Sequence, residues 1–248
     1  MSVFNPFSLE GKIILVTGAS SGIGRGVAVT CSKMGANVII NGRNEQRLLE
    51  TKALMSGEGM LILGDLTDEN KLYSLVDELP KLDGIVHCAG IGQRVPCKNV
   101  TTENVDEVMD VNFKAPVLLM SALLQRKKIN KGASVVFVAS VATWSPSYGN
   151  AVYSASKGAV VSYANCLALE LAPRQIRVNC ISPAMVWTDL ILKDGIDEVQ
   201  LKEDEQKYPL KRYGQPEDIA NLTVYMLSDA STWMTGSNVK ISGGGKLS

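Results

Sequence analysis

Apolar residues along this chain fall into short, nearly unbroken runs, separated by longer stretches in which they recur every three or four positions. The first run, Lys12–Thr17 (KIILVT), ends in a glycine-rich turn, and Ile23–Met34 then carries the spacing of an amphipathic helix. The cycle returns at Asn37–Ile40 with a helix over Glu45–Ser56, at Met60–Leu63 with Glu69–Leu79, and at Gly84–His87 with a long helical stretch from about Glu103. Ser134–Val138 precedes a helix from about Val152 to Leu171. Arg177–Ile181 follows, and Asn238–Ile241 comes after a helix opening at Pro216. Seven apolar strands alternating with helices need crossover connections, so the pattern predicts an α/β fold, a doubly wound parallel sheet with helices on both faces.

No linker, charge block or internal repeat breaks the alternation, so residues 1–248 read as one domain. The exception is Pro183–Gly214, which is polar, helix-prone and long for an α/β connection. It predicts a substrate lid over about 184–213. Within it, Trp187, Leu190, Ile191 and Leu192 read as apolar anchors and the charged run Lys202–Lys207 as a solvated helix face.

Composition narrows the function classes. Twenty-five basic residues balance 25 acidic ones, leaving no net positive field for nucleic acid or anionic lipid. Met1–Glu10 lacks a basic segment followed by an apolar core, and no apolar stretch approaches the roughly 18 residues of a membrane span. The five cysteines are odd in number and scattered, with no C-x-x-C pair or histidine cluster for a metal, and read as free buried thiols of a cytoplasmic protein.

Candidate chemistry sits at strand ends. Thr17-Gly18-Ala19-Ser20-Ser21-Gly22-Ile23-Gly24 places three glycines between the first strand and its helix, where backbone can approach a diphosphate and a helix N-terminus offers N–H groups. At the end of the second strand, Asn41-Gly42-Arg43 carries an arginine and no carboxylate, which favours NADP(H) over NAD(H). Tyr153 and Lys157 stand i, i+4 on one helix face. A phenol with a pKa of about 10 is too weak an acid near neutrality unless a fixed positive charge lowers it, so this pair is a chemically sensible proton donor. Ser140 ends the fifth strand, where its hydroxyl can meet a carbonyl oxygen, and Asn112 lies in a helix that Pro116 can distort.

Together these residues resemble the short-chain dehydrogenase/reductase family from Leu9 to the C-terminus, and in particular its 3-oxoacyl-(acyl-carrier-protein) reductase-like members. Thr17–Gly24 resembles the family's TGxxxGxG cofactor loop, Asp65-Leu66 its adenine contact, and His87-Cys88-Ala89-Gly90 its NNAG segment. Asn112, Ser140, Tyr153 and Lys157 match its catalytic tetrad; Pro183-Ala184 stands for its PG, with Val186 nearby and Thr188 as its nicotinamide-amide contact. The resemblance implies a Rossmann fold and hydride transfer without a metal. Tyr153 would donate the proton, Ser140 orient the carbonyl, Lys157 bind the ribose and lower the tyrosine pKa, and Asn112 hold a water that resupplies protons. It also implies a homotetramer built through the helices carrying Asn112 and Tyr153.

Four positions depart from the family pattern: His87 and Cys88 replace two asparagines, Ala184 replaces a glycine, and Ser21 stands where many NADP-dependent relatives keep a basic residue. Lys131 and Arg174 fall where oxoacyl reductases carry the basic residues that dock an acidic acyl carrier protein. The expected substrate is therefore a carbonyl of the 3-oxoacyl thioester type. A sugar or polyol reductase is the alternative, and a catalytically silent dinucleotide-binding scaffold the remote one.

Overall fold

Strand β1 (Ile13–Thr17) buries four of its five side chains, as a strand covered on both faces must. In the computed structural model, which describes residues 4–192 and 197–245, β1 lies between β2 (Asn37–Gly42) and β4 (Leu82–His87). With β3 (Met60–Leu63), β5 (Ile129–Val138), β6 (Arg177–Pro183) and β7 (Asn238–Ile241), they form one parallel seven-stranded sheet in the order β3-β2-β1-β4-β5-β6-β7. The chain reverses its direction of winding between β1 and β4, so the helices after these two strands cover opposite faces.

Alternate strand residues feed two cores. Leu15, Ile85, Val135 and Phe137 pack beneath α3 (Glu69–Glu78), α5 (Ala115–Gln125) and α6 (Ala151–Leu171). Ile14, Val16, Val86 and Val136 pack on the other face beneath α1 (Gly22–Lys33) and α9 (Pro216–Leu227). Each fully buried leucine or isoleucine contributes about 1.5–3 kcal/mol. Between these helices in the chain lie α2 (Glu45–Leu54), α4 (Thr102–Met109), α7 (Asp189–Leu192) and α8 (Glu198–Glu205).

Two elements differ from the pattern's expectation. The helix from about Glu103 is interrupted between α4 and α5 by a π-turn at Asp110–Lys114, where the Ala115 N–H bonds the Asp110 carbonyl. Pro116 has no N–H to offer Asn112, so the regular ladder cannot continue there. Strand β5 begins five residues before the predicted Ser134, because a bulge opposite Leu82–Gly84 absorbs the polar Asn130–Gly132. The cysteines also divide differently: Cys31 and Cys180 are buried, whereas Cys97 and Cys166 are exposed.

The expected lid contains α7 and α8 and its own small core of Ile191, Leu201, Tyr208 and Tyr213. Its positions 193–196, like the first three residues of the Met1–Glu10 segment, lie outside the described residues. Main chain closes its neck, with Trp187 N–H bonded to the Gly214 carbonyl and Gly214 N–H to that of Met185. No helix among the described residues is long and apolar enough to cross a membrane.

Candidate active site

A cleft of about 680 Å³ opens at the carboxyl ends of β1 and β4. Its walls are Gly18, Ser20, Ser21, Gly22, Ile23 and Gly24 of the first turn, Arg43 after β2, Asp65 and Leu66 after β3, Cys88, Ala89 and Gly90 after β4, and Thr188 of the lid. Gly18 has φ +64°, and a Cβ there would lie 2.7 Å from the Ala89 backbone, so only glycine lets the two turns touch. Thr17, expected among the cofactor contacts, does not face the cleft. It is buried beneath, and its hydroxyl accepts from the N–H groups of Cys88 (3.2 Å) and Ala89 (3.3 Å), tying the ends of β1 and β4 together.

The cleft suits a dinucleotide. Helices α2, α3, α4 and α8 each start with a side-chain oxygen accepting from their first turn, but α1 starts at Ser21 without one. Its first N–H groups are left for an anion, with the helix dipole behind them. At the mouth, Arg43 Nη1 lies 3.4 Å from Asp65 Oδ2. Burial pushes the Asp65 carboxyl up, but hydrogen bonds from Thr67 and the charge of Arg43 outweigh it and hold the group below its ordinary value. Arg47, which the sequence reading did not single out, also lines the cleft and pairs with Asp189 of the lid at 3.0 Å.

The cleft runs into a cavity of about 170 Å³ whose walls include Ser140, Tyr153, Lys157, Pro183 and Val186. Ile23, Cys88, Gly90, Thr188 and Leu190 line both spaces. Ser140 caps the short turn Val141–Thr143, its Oγ accepting from Ala142 N–H at 3.1 Å. Tyr153 is half-buried in the first turn of α6, and Lys157 one turn on is buried, with Nζ 5.9 Å from the phenol ring centroid. The ammonium donates to the Val138 carbonyl at 2.9 Å, and burial pushes its pKa down to about 8. Gly90 faces this group, since a Cβ there would meet Lys157 Nζ and Asn112 Oδ1 at 3.2 Å.

Asn112 is buried in the π-turn and its side chain is fully engaged. Its Oδ1 accepts from Ile91 N–H at 2.8 Å, while Nδ2 donates to the Ile91 carbonyl and to Ser156 Oγ, both at 3.0 Å. The amide thus clasps the loop after β4 to α6. Ser156, which completes the clasp, carried no signal in the sequence beyond its place between Tyr153 and Lys157.

His87 and Cys88 take no charged role. His87 stacks on Phe137 with ring centroids 4.4 Å apart, neither ring nitrogen has a hydrogen-bond partner among the described residues, and burial pushes its pKa down to about 3. Cys88 lines both spaces, but burial raises its thiol to about 12, so it stays protonated.

In the lid, the run Lys202–Lys207 is not simply a solvated face. Glu205 Oε1 accepts from Trp187 Nε1 and from Tyr213 N–H, and Asp204 Oδ2 accepts from the Tyr213 hydroxyl at 2.7 Å. Of the expected anchors, Ile191 is buried and Trp187 packs against the lid core, while Leu192 is exposed. Lys131 and Arg174 lie far from the cavity, near the amino-terminal ends of β5 and β6. Arg174 there donates to the Ile129 carbonyl.

Comparison with known proteins agrees with this geometry. A family model described as enoyl-(acyl carrier protein) reductase matches residues 18–246. A 3-oxoacyl-[acyl-carrier-protein] reductase of Rickettsia felis is 33% identical over 236 residues, covering 95% of this chain and 97% of that protein. An L-xylulose reductase of Caenorhabditis elegans is 33% identical over 245 residues, covering 96% and 97%. Among solved structures, a Beutenbergia cavernae protein described as a putative NAD(P)-dependent gluconate 5-dehydrogenase, with NADP bound at low occupancy, superposes with a TM-score of 0.87 at 31% identity, covering 98% of this chain and 100% of that one. With its parallel sheet, glycine turn and tyrosine–lysine helix, the chain belongs to the short-chain dehydrogenase/reductase family of nicotinamide-dependent oxidoreductases.

Proposed function

We propose that the chain is an NADP(H)-dependent enzyme that interconverts a carbonyl group and a secondary alcohol, with Ser140, Tyr153 and Lys157 at the reacting end. The observation that carries this reading is the shared wall, where these three residues line the cavity into which the nucleotide cleft opens. Bound nicotinamide supplies or accepts the hydride. Tyr153 gives its phenolic proton to the carbonyl oxygen in reduction and takes it back in oxidation. The Ser140 oxygen already accepts from Ala142, so its single hydrogen is directed to the substrate oxygen. Lys157 uses one ammonium hydrogen on Val138 and has two for the ribose hydroxyls and the phenol.

Asn112 positions α6 rather than touching substrate. A relay water at this residue would sit on its main-chain carbonyl, to which Pro116 offers no N–H. Arg43 at the cleft mouth would hold the 2′-phosphate, and the NADP bound in the Beutenbergia relative supports that choice over NAD(H). The exposed Leu169 and Cys166 on α6 support a homotetramer through that helix. Five free cysteines suit a cytoplasmic setting.

For the substrate, the volume of about 170 Å³ favours a small carbonyl compound, and the Caenorhabditis relative supports one of the sugar or polyol kind. Lys131 stands roughly 20 Å along β5 from the cavity end, which places a carrier protein docked there away from the reacting residues. The Rickettsia relative favours the second reading, a 3-oxoacyl thioester. NADPH oxidation against keto-sugars, acetoacetyl thioesters and a carrier-protein thioester decides between them. Tyr153→Phe should lower turnover by about 10²–10⁴-fold while NADPH still quenches protein fluorescence; retained turnover removes Tyr153 as proton donor.

A further inference from the structure

We propose that Arg25 and Thr51 are positioning residues for the cofactor's 2′-phosphate, holding the Ser20–Ser21 main chain so that its N–H groups face that phosphate. This deepens the NADP(H) reading above and rests on it. Position 21 carries serine, so the glycine turn itself brings no cation to the cleft. Arg25 stands one helical turn further along α1, yet neither it nor Thr51 of α2 is among the residues that wall the cleft. Both lie behind the glycine turn, where it touches α2.

Their contacts reach two successive carbonyls. Arg25 Nη2 donates to the Ser20 carbonyl at 2.7 Å and to Glu50 Oε2 at 3.0 Å, and Arg25 Nε donates to Thr51 Oγ1 at 3.0 Å. Thr51 is fully buried, and its hydroxyl lies 2.8 Å from the Ala19 carbonyl and 3.0 Å from that of Arg47. Because Glu50 pairs with the guanidinium from behind the turn, Arg25 acts through the main chain and not on the phosphate directly.

In a trans peptide the N–H points opposite to the C=O. With the Ala19 and Ser20 carbonyls held from behind, the Ser20 and Ser21 N–H groups turn toward the cleft that these two residues line. Neither has a hydrogen-bond partner among the described residues. Successive N–H groups of a turn make a concavity that binds an anion. Its place selects the 2′-phosphate over the diphosphate: a Cβ on Gly42 would meet Ser20 Cβ at 3.5 Å, and Gly42 directly precedes Arg43, whereas the diphosphate belongs to the N-terminus of α1. Arg43 and the two N–H groups then flank one dianion.

Calorimetry of NADPH and NADH binding tests this without turnover. Thr51→Val, which leaves the Ala19 carbonyl without its donor, should weaken NADPH by about tenfold and NADH by no more than about twofold, and Arg25→Met should do the same. Thr51→Ser keeps the hydroxyl and should restore NADPH affinity. The ratio between the coenzymes is the decisive readout, because a general loosening of the turn weakens both alike. Equal losses for NADPH and NADH, or unchanged NADPH affinity, overturn the positioning role; where Arg25→Met fails to fold, Thr51→Val decides. A preference for NADPH that disappears in Arg43→Ala but survives Thr51→Val and Arg25→Met overturns this inference alone and leaves the NADP(H) reading standing. Equal affinity of the unaltered protein for the two coenzymes overturns that reading, and the inference with it.

Discussion

The floor of the cleft and the lid above it face the same cavity, yet one is assembled from main chain and the other from side chains. The floor depends on the positive φ of Gly18, on two N–H groups bound by the Thr17 hydroxyl and on a helix start left without a cap. The lid depends on Glu205 and Asp204 reaching Trp187 and Tyr213, over a core of four buried side chains. A floor of main chain tolerates changes of side chain except where turns touch. A lid hung on two carboxylates does not.

The largest expected effect lies in the cavity that floor and lid both face. Lys157→Met should lower turnover by about 10²–10⁴-fold and, at neutral pH, raise stability by about 2–3 kcal/mol, because burial lowers this ammonium from its ordinary 10.5 to about 8. The unfolded chain holds that proton more tightly, so the cost to the unaltered protein is complete below about pH 8 and vanishes as pH rises toward 10.5. Urea midpoints against pH should show the variant's advantage shrinking over that window; a constant or negative difference contradicts the account.

Next comes Glu205→Ala, which leaves the Trp187 and Tyr213 donors unpartnered and should cost the lid about 2–3 kcal/mol. Hydrogen exchange should quicken within 184–213 while β1 and β4 amides stay protected, and equal quickening in both would erase the contrast. Arg43→Ala, at an exposed ion pair on the floor's rim, should raise the KM for NADPH roughly tenfold and leave NADH nearly unaffected. Equal losses for both cofactors would remove Arg43 from the 2′-phosphate. The last effect is nil at neutral pH and shows only as a slope in acid. Between its ordinary 6.5 and about 3, His87 takes a proton in the unfolded chain and refuses it in the folded one, so stability should fall as pH drops through that window. His87→Leu should flatten the fall in acid-titrated urea midpoints, and an unchanged slope assigns it to other groups.

What the sequence made legible follows the same division. Central strands such as β1 and β4 were readable because covering both faces demands apolar runs, and the glycine turn because only one residue type meets its backbone need. Tyr153 and Lys157 were readable because helical spacing fixes their neighbourhood. The start of β5 was hidden, since a bulge lets the loop-like Asn130–Gly132 sit inside a strand. The lid's carboxylates and the Arg47–Asp189 pair were hidden for another reason: the latter joins residues 142 positions apart, and no local pattern reports such a meeting. Thr17 misled because a hydroxyl at the edge of a binding loop reads the same whether it faces the ligand or holds the loop from below.

The π-turn at Asp110–Lys114 amounts to one surplus residue in an otherwise regular helix. Each residue turns an α-helix by about 100°, so deleting one here would restore the ladder while swinging α4 and everything before it around the axis of α5. Asn112 would lose Ile91 and Ser156 together. Such an insertion is easily acquired on an outer turn, but once a buried amide relies on the added rotation it becomes hard to reverse, and this stretch should accept substitution far more readily than any change in length.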